Sequence, residues 1–400
     1  MIVRKNSLNK IFLAATAITV AVAPTADSAP KSVAMKQFVE VTKEIGAEGM
    51  VVTSKAIITY SNIVGKSSDI QIRAVDFTGA LIWSKTIDSG SDEVATAITA
   101  DAKGTIWVGG NSASPAQLET ITAVAGALNP DSVTVEMPDE MRADMKNISL
   151  WQISSTGDLA PQIDFKITRP ALVDAISTNA TGVSILLSRE SGQSLALIKA
   201  EALEKEVKLG TTKSKFNVIF RAADGSTSLF GSSSETLAGK KLAGKVDGIL
   251  LKVSKAGSIS SVVRSSAAGA LRDWQSATAS NFLTGVVKSG KKIETAITKF
   301  NSTFTPTWTT RILSTGASVA ASGANGSVFA IFEPTTALKG VTGWKQVKGQ
   351  SVALQFDGKG LLIGALTNSL LNAPLTVGYS AEGGLVLLTT AGDILQAPIR

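Results

Sequence analysis

The stretch from Asp69 to Ile87, DIQIRAVDFTGALIWSKTI, alternates apolar and polar residues, turns at Thr78-Gly79 and alternates again. Period two on both sides of a glycine turn is the pattern of a β-hairpin. A second pair follows at Val94 to Gly110, VATAITADAKGTIWVGG, turning between Asp101 and Gly104. The unit is therefore four short strands. It returns along the chain, with Asn147, Gly157, Ile176 and Gly182 standing where Asp69, Gly79, Ile98 and Gly104 stood. DGILLKVSKAGSI from Asp247 and QSVALQFDGKG from Gln350 repeat the first hairpin, and Glu294, Asn301, Trp308 and Ile312 repeat Asp69, Asp76, Trp83 and Ile87. A weaker copy, SLALIKAEALEKEV, begins at Ser194.

At the ends, Met50 to Asn62 reads as a second hairpin alone and Leu385 to Ile399 as a first hairpin alone. Complementary half-units are what a circular array needs, because pairing them removes the exposed sheet edges. Second hairpins near residues 50, 95, 172, 217, 276, 317 and 376 number seven. At about 50 residues each, they match the size of a four-stranded blade. The expected fold is all-β: one β-propeller of seven four-stranded blades over residues 30–400, closed by pairing of N- and C-terminal strands.

Absences narrow the chemistry. The chain of 400 residues has no His and no Cys. That excludes Ser-His-Asp and Cys-His catalysis, iron–sulfur clusters, Cys/His zinc sites and disulfides. Residues 1–29 read as a secretory signal: Arg4, Lys5 and Lys10 precede the apolar run Ile11 to Ala23, and the small residues Ala23, Ala26, Ser28 and Ala29 follow. An exported chain without cysteine points to a bacterium, and to a secreted or cell-envelope location. A membrane contact is expected only if the signal segment stays attached.

The Asp-start strand at Asp247, the D-x-x-G strand pair ending in IWVGG, and the NSAS that follows resemble the bacterial secreted β-propeller repeat known as SBBP. Ala74 to Trp83, AVDFTGALIW, is also similar to the PQQ-type propeller repeat. The resemblance implies a propeller and an exported, usually non-catalytic, interaction role. It does not imply a quinone, and no cofactor or resident metal is expected.

Residues 114–146 depart from the array. This long connection is acidic, with LETITAVAGAL able to form a short helix, and is expected to cap one face. Gly239 to Val246, GKKLAGKV, misses a phosphate loop by one residue, since Val246 offers no hydroxyl for magnesium. Ser289 and Lys292 satisfy S-x-x-K, but in a loop between strands. Asp88, Asp92 and Glu93 in DSGSDE could hold a hard cation or form a solvated turn, of which the turn is the expectation.

The candidate binding residues are Arg272, Asp273 and Trp274, with Asp92 and Glu93. The first three are read as a loop joining two hairpins, where an exposed Trp beside opposite charges suits a sugar ring or a peptide side chain, against the alternative that Trp274 packs between blades as a large aromatic usually does. The segment Ser194 to Lys245 carries nine Lys and Arg against five acids, a patch suited to anionic polymers. Too few aromatics accompany it for nucleic acid. The expected function is an exported, monomeric, non-catalytic scaffold that binds a protein or polysaccharide at the cell envelope. The alternative is a propeller enzyme acting on glycans or using a bound quinone.

Overall fold

The computed structural model describes residues 32–113, 145–266 and 268–398. The expected signal segment and nearly all of the 114–146 insertion lie outside the described residues.

Strands β1 (Val33–Gln37) and β2 (Val39–Lys43) join sheets that the far end of the chain completes. The first antiparallel sheet is β3 (Gly49–Val52), β4 (Ile57–Val64), β5 (Ser68–Val75) and β6 (Leu81–Ile87). The second is β7 (Glu93–Ala100), β8 (Ile106–Ser112), β9 (Asn147–Ile153) and β10 (Ile163–Lys166). The third is β11 (Leu172–Asn179), β12 (Gly182–Arg189), β13 (Gly192–Lys199) and β14 (Ala202–Lys208). The fourth is β15 (Ser214–Arg221), β16 (Thr227–Ser233), β17 (Asp247–Val253) and β18 (Ile259–Ser265). Next come β19 (Leu271–Ala277), β20 (Phe282–Ser289), β21 (Lys292–Phe300), the 17-residue β22 (Pro306–Ser322), β23 (Val328–Pro334), β24 (Val341–Thr342), β25 (Val352–Phe356) and β26 (Leu362–Thr367). With β1 they make one nine-stranded sheet. Finally β27 (Pro374–Ser380), β28 (Gly384–Thr389) and β29 (Asp393–Gln396) form a four-stranded sheet with β2.

The middle strands read as continuous apolar runs because neighbouring sheets cover both of their faces. In β17 Ile249 and Leu251 face one cluster with Phe216 and Leu229, while Leu250 faces another with Phe230 and Trp274. Each such leucine contributes roughly 1.5–3 kcal/mol of burial. The innermost strands touch in order, β3 to β7, β11, β15, β19, β22 and β27, and β27 touches β3 again. They surround a central axis, which makes the fold a β-propeller.

Three expectations need correction. Five sheets stand alone as four-stranded units, and the expected seven are not hydrogen-bonded separately. The reason is β22, which runs without a break from an edge position beside β21 to an inner position beside β23. The blades are also out of phase with the sequence repeat. Each sheet takes the second hairpin of one unit and the first hairpin of the next, so Met50 to Asn62 begins a complete sheet and is not half of the last one. The chain ends meet through a different strand: β2 pairs antiparallel with β29, Val39 opposite Gln396, and Lys43 Nζ lies 2.8 Å from the Asp393 carboxylate. Among the described residues no sheet closes on itself.

Candidate functional site at the channel mouth

Five of the innermost strands, β7, β11, β15, β19 and β27, share a local irregularity. The pairing register slips between Ala95 and Ala97, Val173 and Ala175, Phe216 and Val218, Trp274 and Ser276, and Pro374 and Thr376. Each slip is a β-bulge that leaves one extra residue out of the ladder: Thr96, Asp174, Asn217, Gln275 and Leu375. In three sheets the residue before the bulge faces a glycine on the second strand: Ala95 opposite Gly110, Phe216 opposite Gly231, Trp274 opposite Gly285. A Cβ on any of these glycines would collide with the carbonyl of Val94, Lys215 or Asp273.

A bulge frees backbone groups, and amide side chains take them up. Asn62 accepts from the Ala95 N–H at 2.8 Å and donates to the Ala95 carbonyl at 2.9 Å. Gln193 does the same for Phe216, at 2.6 Å and 3.0 Å. The bulged residues then reach the next sheet. Thr96 donates to the Val173 carbonyl at 2.5 Å, Asn217 to the Trp274 carbonyl at 2.7 Å, and the Ser318 N–H donates to Gln275 at 3.0 Å.

Above this belt is a cleft of about 590 Å³, lined among others by Thr96, Asp174, Arg189, Gln193, Lys215 and Asn217. Asp174 accepts from Gln193 Nε2 at 2.6 Å and from the Ser188 hydroxyl. Arg189 is held by Glu206, Nε to carboxylate 2.7 Å. Lys215 is exposed and has no ion-pair partner among the described residues. Asp273, on the adjoining strand, accepts from Asn217 Nδ2 at 3.1 Å. Burial pushes its carboxyl above the usual range, against the Ser232 hydroxyl, the Lys215 charge and the Asn217 amide, which favour the ionised form. The cleft therefore offers amides, hydroxyls, the Lys215 ammonium, the Arg189 guanidinium and the Asp174 carboxylate, with the Asp273 carboxyl adjoining. It can hydrogen-bond a polar ligand.

Of the residues singled out in the sequence, Asp273 adjoins this cleft through Asn217 without lining it. Trp274 requires a correction: it is fully buried in β19, packed edge-on against Phe300 at 5.6 Å, and is not exposed on a loop. The bulge breaks the period-two pattern of LRDWQSA, so the segment reads as irregular. Arg272 stacks over Trp274, 4.4 Å from the ring, and points away from the mouth into a separate cleft. Asp92 and Glu93 are buried rather than part of a solvated turn. Asp92 accepts from the Ser68 N–H at 2.8 Å, and Glu93 accepts from Ser89 and Ser91. Carboxylate oxygens of Asp69, Asp88 and Glu93 converge within 4.8 Å, a set that could hold a cation and does not include Asp92.

The near-phosphate loop is filled by the chain itself, since the Ala243 and Gly244 N–H groups donate to Asp247 at 2.9 and 2.7 Å. Lys292 of the S-x-x-K motif lies 2.7 Å from Glu294. The basic stretch 194–245 is divided between the third and fourth sheets. Thr96, Asp174, Lys215, Asn217 and Gln275 went unread in the sequence. Their signal is a single-residue break in alternation followed, one strand later, by glycine in VGG, LFG and LTG.

No protein-family model matches the chain, and no curated protein matches it. Among solved structures it is similar to a streptogramin B lyase, with 11% identity, 90% of this chain and 96% of the other covered, and a TM-score of 0.52. It is also similar to a catalytically inactive histidine-to-alanine variant of virginiamycin B lyase from Staphylococcus aureus with quinupristin, at 12% identity, 90% and 99% coverage, and a TM-score of 0.51. At these identities the likeness is one of fold, and the fold to which it assigns this chain is the β-propeller.

Proposed function

We propose that this chain is an exported, non-catalytic propeller that binds a polar macromolecule of the cell envelope, polysaccharide or protein, at the bulged mouth of its channel. One observation carries the reading. The side chains there differ from sheet to sheet, and those of Thr96, Asn217 and Gln275 are committed to the next sheet's backbone, which makes the belt one of amides and hydroxyls. The lyase neighbour is inactive once a histidine is replaced by alanine, and this chain has no histidine to supply such a group.

Likeness to a lyase favours a second reading, in which Asp273 acts as an acid or base beside Lys215. A glycan array and envelope pull-down with the purified chain separates the two. A saturable ligand recovered unchanged supports binding, and loss of its capture in Lys215→Ala places it at the mouth. Cleavage of the ligand, abolished in Asp273→Asn, would replace the binding reading with the enzymatic one.

A further inference from the structure

A second cleft, of about 520 Å³, opens between the fourth sheet and the one beginning at β19. Its charged lining residues are Arg272, Lys292 and Arg311, with hydroxyls from Ser265, Ser289 and Thr309. No acid lines it among the described residues. Glu294 pairs with two of these cations, Lys292 at 2.7 Å and Arg311, and Asp247 pairs with Arg264 at 3.0 Å. One carboxylate thus serves two of the cleft's cations, and Arg272 has no ion-pair partner among the described residues.

Arg272 is built into place. Its stem passes Gly248, whose missing side chain makes the room, and its guanidinium stacks on the buried Trp274. Among the described residues it makes one hydrogen bond, Nη1 to Ser265 Oγ at 2.5 Å, and the buried Nε has no partner. Arg311 is close enough to disfavour the charge further, and together with burial it brings the guanidinium down to about 10, still protonated at neutral pH. A half-buried cation without a counter-charge is costly, and a fold that fixes one on a rigid aromatic platform beside a second guanidinium has the ingredients of an anion receptor.

We propose that this cleft is a binding site for an oxyanion group, carboxylate, phosphate or sulfate, held by the fork of Arg272 with Arg311 and the Ser265 hydroxyl. The cleft is larger than a free ion, so the group is carried on a larger ligand. The site is distinct from the channel mouth and stands or falls separately from the function proposed there.

The test is calorimetric titration of the full chain with inorganic phosphate, sulfate and acetate, each against chloride at matched ionic strength. Saturable binding is expected for at least one of the three, and which one it is names the chemistry of the group. Arg272→Met keeps the stem on Trp274 and removes the charge. It is expected to abolish saturable binding and, without anion, to melt above the wild type. Arg311→Gln is expected to weaken binding by about tenfold. Should Arg272→Met fail to fold, Arg272→Lys, which keeps charge and stem but loses the fork, is expected to weaken binding by about tenfold or more. Heats that do not saturate, or that are equal in wild type and variants, would overturn the proposal.

Discussion

The indole of Trp83 occupies the space that a side chain on Gly157 would need. A Cβ there would lie 2.9 Å from Cδ2 of the ring, and the indole N–H donates to the Ser155 carbonyl at 3.3 Å. Trp83 is on the outer strand of the first sheet and Gly157 in the β9–β10 turn of the second, so the pair pegs one sheet to the next. Trp308 repeats the arrangement with Gly360, at 2.7 Å, and the Gly358 carbonyl, at 3.2 Å. Lys205 stands in the same relation to Gly257 and donates to the Ala256 carbonyl at 3.1 Å.

Gly157→Ala and Gly90→Ala test the peg as a pair. Both glycines have left-handed backbone, φ 88° and 80°, but nothing lies within 4 Å of a Cβ at Gly90. Gly90→Ala should cost about 1 kcal/mol from backbone alone. Gly157→Ala should cost about 1–3 kcal/mol more for displacing the ring. Urea unfolding midpoints measure the difference, and equal losses would mean that the ring moves aside freely.

At the bulges, Gly231→Ala is expected to destabilise by more than about 3 kcal/mol, because its Cβ meets the Lys215 carbonyl of a buried ladder and the backbone has no room to yield. Gly358→Ala, with open space around it, serves as the control and should stay within about 0.5 kcal/mol. Thermal or chemical denaturation reports both.

Gln193→Leu conserves size but strands the Phe216 N–H and carbonyl in a buried setting. At about 1–3 kcal/mol for each of the two orphaned groups, a loss of roughly 2–6 kcal/mol is expected. Hydrogen exchange should show the Phe216 amide losing protection ahead of its neighbours. Protection unchanged at Phe216 would show that the amide clamp is dispensable.

Asp247 sets an acid limit. Burial alone would raise its carboxyl, but the Ala243 and Gly244 N–H groups, Ser266 and Arg264 outweigh burial and hold it below the ordinary value. A carboxyl lowered in the folded state stabilises fully above its unfolded pKa of about 3.9 and loses that contribution as pH falls toward the folded one. Asp247→Asn should therefore be about 3 kcal/mol less stable at pH 7, with the gap from wild type narrowing below pH 4. A gap constant with pH would place the effect in packing instead.

Asp273 has the opposite sign. Its folded pKa lies above the unfolded value, so its ionisation at neutral pH opposes folding, and stability falls as pH rises through that interval. Asp273→Asn is expected to raise the melting temperature at pH 7 by about 2 °C, with the advantage vanishing in acid. A lower melting temperature at pH 7 would show that the Asn217 hydrogen bond matters more than burial.

The sequence by itself determined the strands, their turns and their circular order. Glycine at Gly79, Gly157 and Gly257 marks turns with positive φ, and Asp76, Asp101 and Asp357 accept the backbone N–H groups of those or equivalent turns within four residues, all local events that a short window records. It also carried the Trp83 and Trp308 pair, though not what the two rings press against. Tertiary structure alone decided how hairpins group into sheets, because the same hairpin can pair with the one before or the one after it and alternation is blind to that choice. It also decided the unbroken run of β22 through the nine-stranded sheet and the capture of β2 by β29. The channel mouth was hidden for a related reason: a bulge cancels the two-residue period where it puts Asp174, Asn217 and Gln275 on the axis. Their hydrogen-bonding partners come from other strands or from the next sheet, and no neighbouring residue in the chain announces them.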